Sequence, residues 1–166
     1  MWHCSAPQNS AATVKRTVID DIDRRILRVL QTDGRMSFKD LGREVGLSAN
    51  ATGVRVGRLL ADGVITGVHA QVDHALLGRG LEAYVDCWLS GRDEEHWDHF
   101  ERHIAADDRV IDATHITGKV DFRLRVVVAS PTELDEFLRS LKREGGVAET
   151  DSRLILRRHA VGANAI

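Results

Sequence analysis

The sequence predicts an α+β chain, a small helical domain followed by a larger mixed one. Apolar residues recur at helical spacing as far as Gly63, and from Leu81 they alternate with the period of two that marks strands. Charge divides the chain at the same place. Residues 1–63 hold ten Lys/Arg against seven Asp/Glu, a net of +3, whereas residues 64–166 hold thirteen against eighteen, a net of −5. A basic front and an acidic rear suggest that only the first part meets phosphate.

Residues 1–17, opening MWHCSAPQNSAATVKR, lack the apolar core of a signal peptide and read as a flexible tail. A first helix is expected from Asp21 to Thr32, where Asp20 and Asp21 offer caps and a charge that complements the helix N-terminus. Ile22, Ile26, Val29 and Leu30 form its apolar stripe, and Gly34 stops it. The second helix has Ser37 as N-cap and Asp40 at N3, a short-side-chain capping box. Leu41 and Val45 are its apolar pair, and Gly46 stands where a left-handed residue is needed. Ser48 caps the third helix, in which Thr52, Val56, Leu59 and Leu60 fall within about 100° of one another. Asn50, Ala51, Val54 and Arg58 lie opposite, with Arg55 at the margin. Two helices broken at Gly46-Leu47, the second stopping at Gly63, outline a helix-turn-helix DNA reader over residues 18–65. VITGVHAQV, from Val64 to Val72, is β-branched and predicts a strand leaving this winged-helix-like domain. Residues 66–80 serve as linker and hinge.

In residues 81–166, Ala83, Val85, Cys87 and Leu89 alternate with Tyr84, Asp86 and Trp88 in a first strand. A helix from Asp93 to Ala106 follows, with Trp97, Phe100 and Ile104 on its core face. Val110 to Thr117 and Phe122 to Val128 are strands around a turn at residues 118–121. Ser130, Pro131 and Glu133 supply N-cap, N1 proline and N3 glutamate for a last helix, which Gly145-Gly146 ends. Val147 to His159 is the final strand. The order βαββαβ is ferredoxin-like. With both helices on one face of the sheet, the other face needs cover, and a homodimer through the sheet is the expectation.

Composition narrows the function. With 43% hydrophobic and 29% charged residues the chain is globular rather than disordered. No run approaches the ~20 apolar residues of a membrane span. Cys4 and Cys87 make no disulfide framework, which fits a reducing cytoplasm. GxSxG, P-loop, HExxH and CxxC motifs are all missing, so no catalytic residue and no cofactor is expected. His96, His99 and His103 share one helix face, and His99 and His103, at i and i+4, could share a zinc or nickel ion. The alternative is a solvated helix face.

In its order of elements the chain resembles the Lrp/AsnC (feast/famine) family of prokaryotic transcription regulators over residues 19–159. The residues that carry the likeness are Ile22-Asp23-Arg24-Arg25-Ile26-Leu27, Asp33-Gly34-Arg35, Val45-Gly46-Leu47-Ser48, Arg55-Val56 and Gly63-Val64-Ile65. Gly118 with Asp121, and Gly146-Val147 with Thr150 and Ser152, extend it into the second domain. Gly53, Gly57 and Leu60 depart from the pattern, and each glycine inside a helix costs roughly 1 kcal/mol relative to Ala. Relatives with haem-biosynthesis decarboxylase activity keep an enzyme alternative open through His115 and His159.

The resemblance implies a regulator of transcription that binds double-stranded DNA and answers to a small metabolite, an amino acid. Ser48 and the N–H groups of the third helix would hold a phosphate. Asn50, Ala51, Val54 and Arg55 would face base edges, and Arg58 and Lys39 phosphates. For Arg55 and Arg58 the alternative is an ion pair within the domain. Backbone N–H groups at Gly118 could take a carboxylate and Asp121 an ammonium, the two ends of an amino acid. Thr117, Thr150 and Ser152 are hydroxyl candidates around them. A plain turn aspartate is the alternative for Asp121. Higher homo-oligomers follow from a site at a dimer–dimer contact.

Overall fold

The computed structural model describes residues 18–91 and 93–159, so the expected tail at 1–17, with Cys4, lies outside the described residues. The chain divides into two compact units with the boundary between Gln71 and Val72.

The first unit holds α1 (Asp21–Thr32), α2 (Phe38–Val45) and α3 (Ala49–Ala61). Each begins at a side chain that satisfies otherwise unpaired N–H groups. Asp20 accepts from the Asp23 N–H at 2.8 Å, and Asp23 accepts from the Asp20 N–H at 3.2 Å, a complete capping box. Ser37 accepts from the Asp40 N–H at 3.2 Å, but its hydroxyl donates to the Asp40 carboxylate at 2.6 Å, so the box at α2 closes on the side chain rather than on the backbone. Ser48 accepts from the Ala51 N–H at 3.2 Å. Gly46, at φ 79°, ends α2 in the left-handed region. Ile26, Leu27, Leu41, Val45, Val56 and Leu59 form the core. Leu60, expected on the packing face of α3, is exposed instead, because it stands about 100° around the helix from Leu59.

The strand expected over Val64–Val72 does not form. Ile65 donates its N–H back to the Leu59 carbonyl at 3.0 Å, and Val68 and Val72 are exposed. A β-branched run becomes a strand only against a neighbour that completes its hydrogen bonds, and none of the described residues provides one.

The second unit runs β1 (Leu81–Leu89), α4 (Glu94–Ala105), β2 (Val110–His115), β3 (Phe122–Val128), α5 (Pro131–Arg143) and β4 (Val147–Leu154). The sheet order is β2-β3-β1-β4, antiparallel at every pairing, as the ferredoxin-like βαββαβ arrangement requires. Two strands stop earlier than expected. Strand β2 ends at His115, not Thr117: the Ile116 N–H makes one more in-register bond, to the Asp121 carbonyl at 3.1 Å, and the chain then bends at residues 117–119. Strand β4 ends at Leu154, not His159; the Ile155 N–H still donates to the Glu82 carbonyl at 2.9 Å, and β1 begins only one residue earlier, at Leu81, so residues 157–159 have no length of β1 to pair with.

Phe100 and Ile104 of α4 and Phe137 and Leu141 of α5 pack on Val85, Cys87, Leu124 and Val126. The opposite sheet face is charged. Asp86 lies between Arg123 at 2.6 Å and Arg153 at 3.0 Å, and Glu82 between Arg125 at 3.2 Å and Arg158 at 2.9 Å. The Arg123 hydrogen bond holds the Asp86 carboxyl below its ordinary range despite burial.

Candidate functional site

Helix α3 presents a surface suited to a groove. Asn50, Val54, Gly57 and Arg58 are exposed and Ala51 is half-buried, while Thr52, Val56 and Leu59 anchor the far side. Thr52, fully buried, satisfies its hydroxyl on the Ser48 carbonyl at 2.9 Å, which keeps the cap and the first turn together. Lys39 is exposed at the start of α2.

Arg55 and Arg58 are committed elsewhere in the free chain. Arg55 donates to Asp20 at 2.6 Å and to Asp23 at 2.9 Å, and Arg58 donates to the other oxygen of Asp23. Asp23 has no exposed surface. The ion-pair alternative is therefore the one the geometry favours, and it ties α3 to the N-terminus of α1. Asp20 is held below its ordinary range, first by the Asp23 N–H and then by Arg55. Its contribution is present at neutral pH and is lost as pH falls through that lowered value. Asp23 was not singled out from the sequence. Its signal was there in spacing: two acids at i and i+3 face two arginines at i and i+3, with nothing local to connect them.

In the second unit, Gly118 takes φ +123°, a conformation that favours glycine, in the exposed loop between β2 and β3. Asp121 closes that loop twice. Its N–H donates to the Cys87 carbonyl at 3.1 Å, and its Oδ2 accepts from the Leu89 N–H at 2.9 Å. The side chain thus extends the β1–β3 ladder past Phe122, where β3 begins. Oδ1 has no hydrogen-bond partner among the described residues. Cys87 pairs with Phe122 on one side and Thr150 on the other, so Thr150 lies in the row next to Asp121. Thr150 and Ser152 both lie on β4, one strand beyond β1 and so roughly 10 Å from β3, but Ser152 pairs with Val85, two residues further along the sheet from Asp121. Gly118, Asp121 and Thr150 therefore share one end of the sheet, Thr117 is exposed beside them, and Ser152 stands apart.

Two of the three histidines on α4 have hydrogen-bond partners, and the Nε2 of His103 is buried without one among the described residues. His96 pairs with the N-cap Asp93 at 2.7 Å, and His99 meets the Glu144 carbonyl at 2.5 Å. His103 packs beside Gly145. Among the described residues no group of three His, Cys, Asp or Glu side chains could hold a metal ion. His115 stacks edge-on with Trp97 at 4.4 Å, in an aromatic cluster that includes Phe122. Burial pushes the Cys87 thiol up to about 12, which keeps it protonated at neutral pH. No helix among the described residues is long and apolar enough to cross a membrane.

Comparison with known proteins matches both units. Residues 19–60 fit the model of the AsnC-type helix-turn-helix domain, and residues 82–163 that of the Lrp/AsnC ligand binding domain. The HTH-type transcriptional regulator AldR of Mycolicibacterium smegmatis is 33% identical over 95% of this chain and 92% of its own length. The Bkd operon transcriptional regulator of Pseudomonas aeruginosa is 36% identical over 72% of this chain and 78% of its own. A solved structure of the feast or famine regulatory protein of M. tuberculosis complexed with L-methionine is similar at a TM-score of 0.79 and 28% identity, covering 88% of this chain and 97% of that one.

Proposed function

Because the chain belongs to the Lrp/AsnC family of transcriptional regulators, we propose that it reads specific duplex sites through α3 and that an amino acid modulates its DNA affinity or its assembly. The observation that carries the DNA half is the exposed face of α3, held by Ser48 at one end and by the Asp20–Asp23–Arg55–Arg58 clamp along one flank. Asn50, Ala51 and Val54 meet base edges, and Lys39 with the α3 N-terminus meets phosphate. Arg55 is assigned to positioning the helix. Arg58, whose side chain is 44% exposed, stands at the rim where phosphates pass.

The ligand half rests on Asp121. One carboxylate oxygen is occupied by the sheet and the other is available to an ammonium, while the Gly118 turn offers N–H groups to a carboxylate. Thr117 and Thr150 are the nearer hydroxyl candidates and Ser152 the farther one. A homodimer formed through the charged sheet face, and larger assemblies of such dimers, would bring two recognition helices to one duplex. The M. tuberculosis protein bound to L-methionine supports an amino acid as the ligand class.

Binding of labelled duplex, measured against salt with and without an amino-acid pool, tests both halves. Affinity should fall steeply as salt rises, since several phosphates are neutralised, and the pool should shift the curve. A salt-independent affinity removes the DNA-reading proposal.

Gly57 offers a further check. A side chain there would meet open space, so Gly57→Ala should stabilise the helical unit by about 1 kcal/mol. Gly57→Lys should do so less and also steepen the salt slope by about one phosphate's worth. Melting curves beside the same salt titration separate the two effects.

A further inference from the structure

The crest of α3 carries no charge. Asn50, Val54 and Gly57 are exposed along it, and the two arginines of the helix are drawn to one flank by Asp20 and Asp23. On the other flank an aromatic ring takes their place. Phe38, the first residue of α2, is 50% exposed and lies across Gly53, where an added Cβ would stand 3.3 Å from the ring. A glycine inside a helix is unfavourable, and here it makes room for the ring. Val54, 67% exposed, is the neighbouring apolar residue on the crest.

Such a surface has little to offer guanine, whose major-groove edge presents two acceptors and is read by guanidinium or ammonium groups. It has two apolar groups and one amide. In the major groove only thymine presents a methyl group, and apolar side chains including Phe pack against it. Resting on the DNA-reading proposal above, we propose that Phe38 and Val54 are specificity-determining residues that read thymine C5-methyl groups, with Asn50 pairing with adenine between them. Gly53 sets this up by letting the Phe38 ring lie flush with the recognition helix.

The test removes only the methyl. A high-affinity duplex is first selected from a random pool, and each thymine is then replaced singly by uracil. With the full-length protein, two positions in each half-site should lose affinity by about fourfold, the contribution of one buried methyl-sized group. Phe38→Ala should bind the thymine and uracil duplexes equally at one such position, and Val54→Ala at another. Phe38→Leu should restore part of the discrimination. A Phe38 that merely packs α2 on α3 predicts instead an equal loss on both duplexes, and that result overturns the proposal. So does a wild-type protein with no uracil-sensitive position. Recovery of no preferred sequence defeats the DNA-reading proposal itself, a separate outcome from insensitivity to uracil.

Discussion

The double variant Arg55→Ala/Arg58→Ala is expected to unfold the helical unit more readily than Asp23→Ala, although Asp23 is the partner both arginines share. Burial decides the order. Stranding a carboxylate as buried as Asp23 without a counter-charge costs about 3–5 kcal/mol. Removing Asp23 leaves guanidiniums that are 29% and 44% exposed and can turn to water. What is then lost is mainly half of the α1 capping box, roughly 1 kcal/mol. The triple variant, without the buried charge, should recover much of the double variant's loss. Denaturant unfolding followed by helix circular dichroism ranks the three, and equal losses for the double variant and Asp23→Ala would contradict the clamp. At a temperature where Asp23→Ala is folded, Arg58 is released while Arg55 keeps Asp20, so the salt dependence of DNA binding should steepen by up to about one phosphate's worth.

Replacing Asp121 should separate structure from signalling only if two substitutions are compared. Asp121→Ala leaves the Leu89 N–H without its acceptor, which costs about 1–3 kcal/mol, and also removes the charge proposed to hold an ammonium. Asp121→Asn keeps an acceptor oxygen for Leu89 and removes only the charge. The asparagine variant should therefore melt near the wild type yet lose about 2–5 kcal/mol of amino-acid affinity, roughly thirtyfold to a few thousandfold, the cost of an unpaired partner in a desolvated ion pair. Titration calorimetry over an amino-acid panel, with a melting curve for each protein, distinguishes the outcomes. An asparagine variant that binds its amino acid normally makes Asp121 a strand-closing residue alone.

What could be seen in the sequence was whatever is local. Ser37, Ser48 and Ser130 each cap within three residues of themselves, so their helices begin where the pattern says. The alternation of β1 and β3 reflects one buried face, and both strands are found in full. The features that escaped depend on distant partners. Val64–Val72 has the residues of a strand but no neighbour among the described residues, and the last residues expected in β4, 157–159, lie past the start of β1 at Leu81. At the candidate sites the same division holds. Asn50, Val54 and the Gly118 turn follow from position in their own elements. The burial of Asp23 depends on arginines 32 and 35 residues away, and the bond from Leu89 to Asp121 spans 32 residues. Nothing local marks Phe38, whose ring meets Gly53 of the next helix.

The charged face of the sheet has a consequence for recognition between copies. Its carboxylates and guanidiniums are interleaved across adjacent strands, with Asp112 beside Arg125, Glu82 between Arg125 and Arg158, and Asp86 between Arg123 and Arg153. Seen from beyond a Debye length, about 8–10 Å in ordinary salt, such a lattice is close to electrically silent. At contact range it is a sharp pattern in which each sign has a fixed address. Two such faces would be neither steered together nor held apart while distant, and would fit only in an alignment that sets acid against base. In a homodimer built through it, the face would act as a vernier, sensitive to offset rather than to approach.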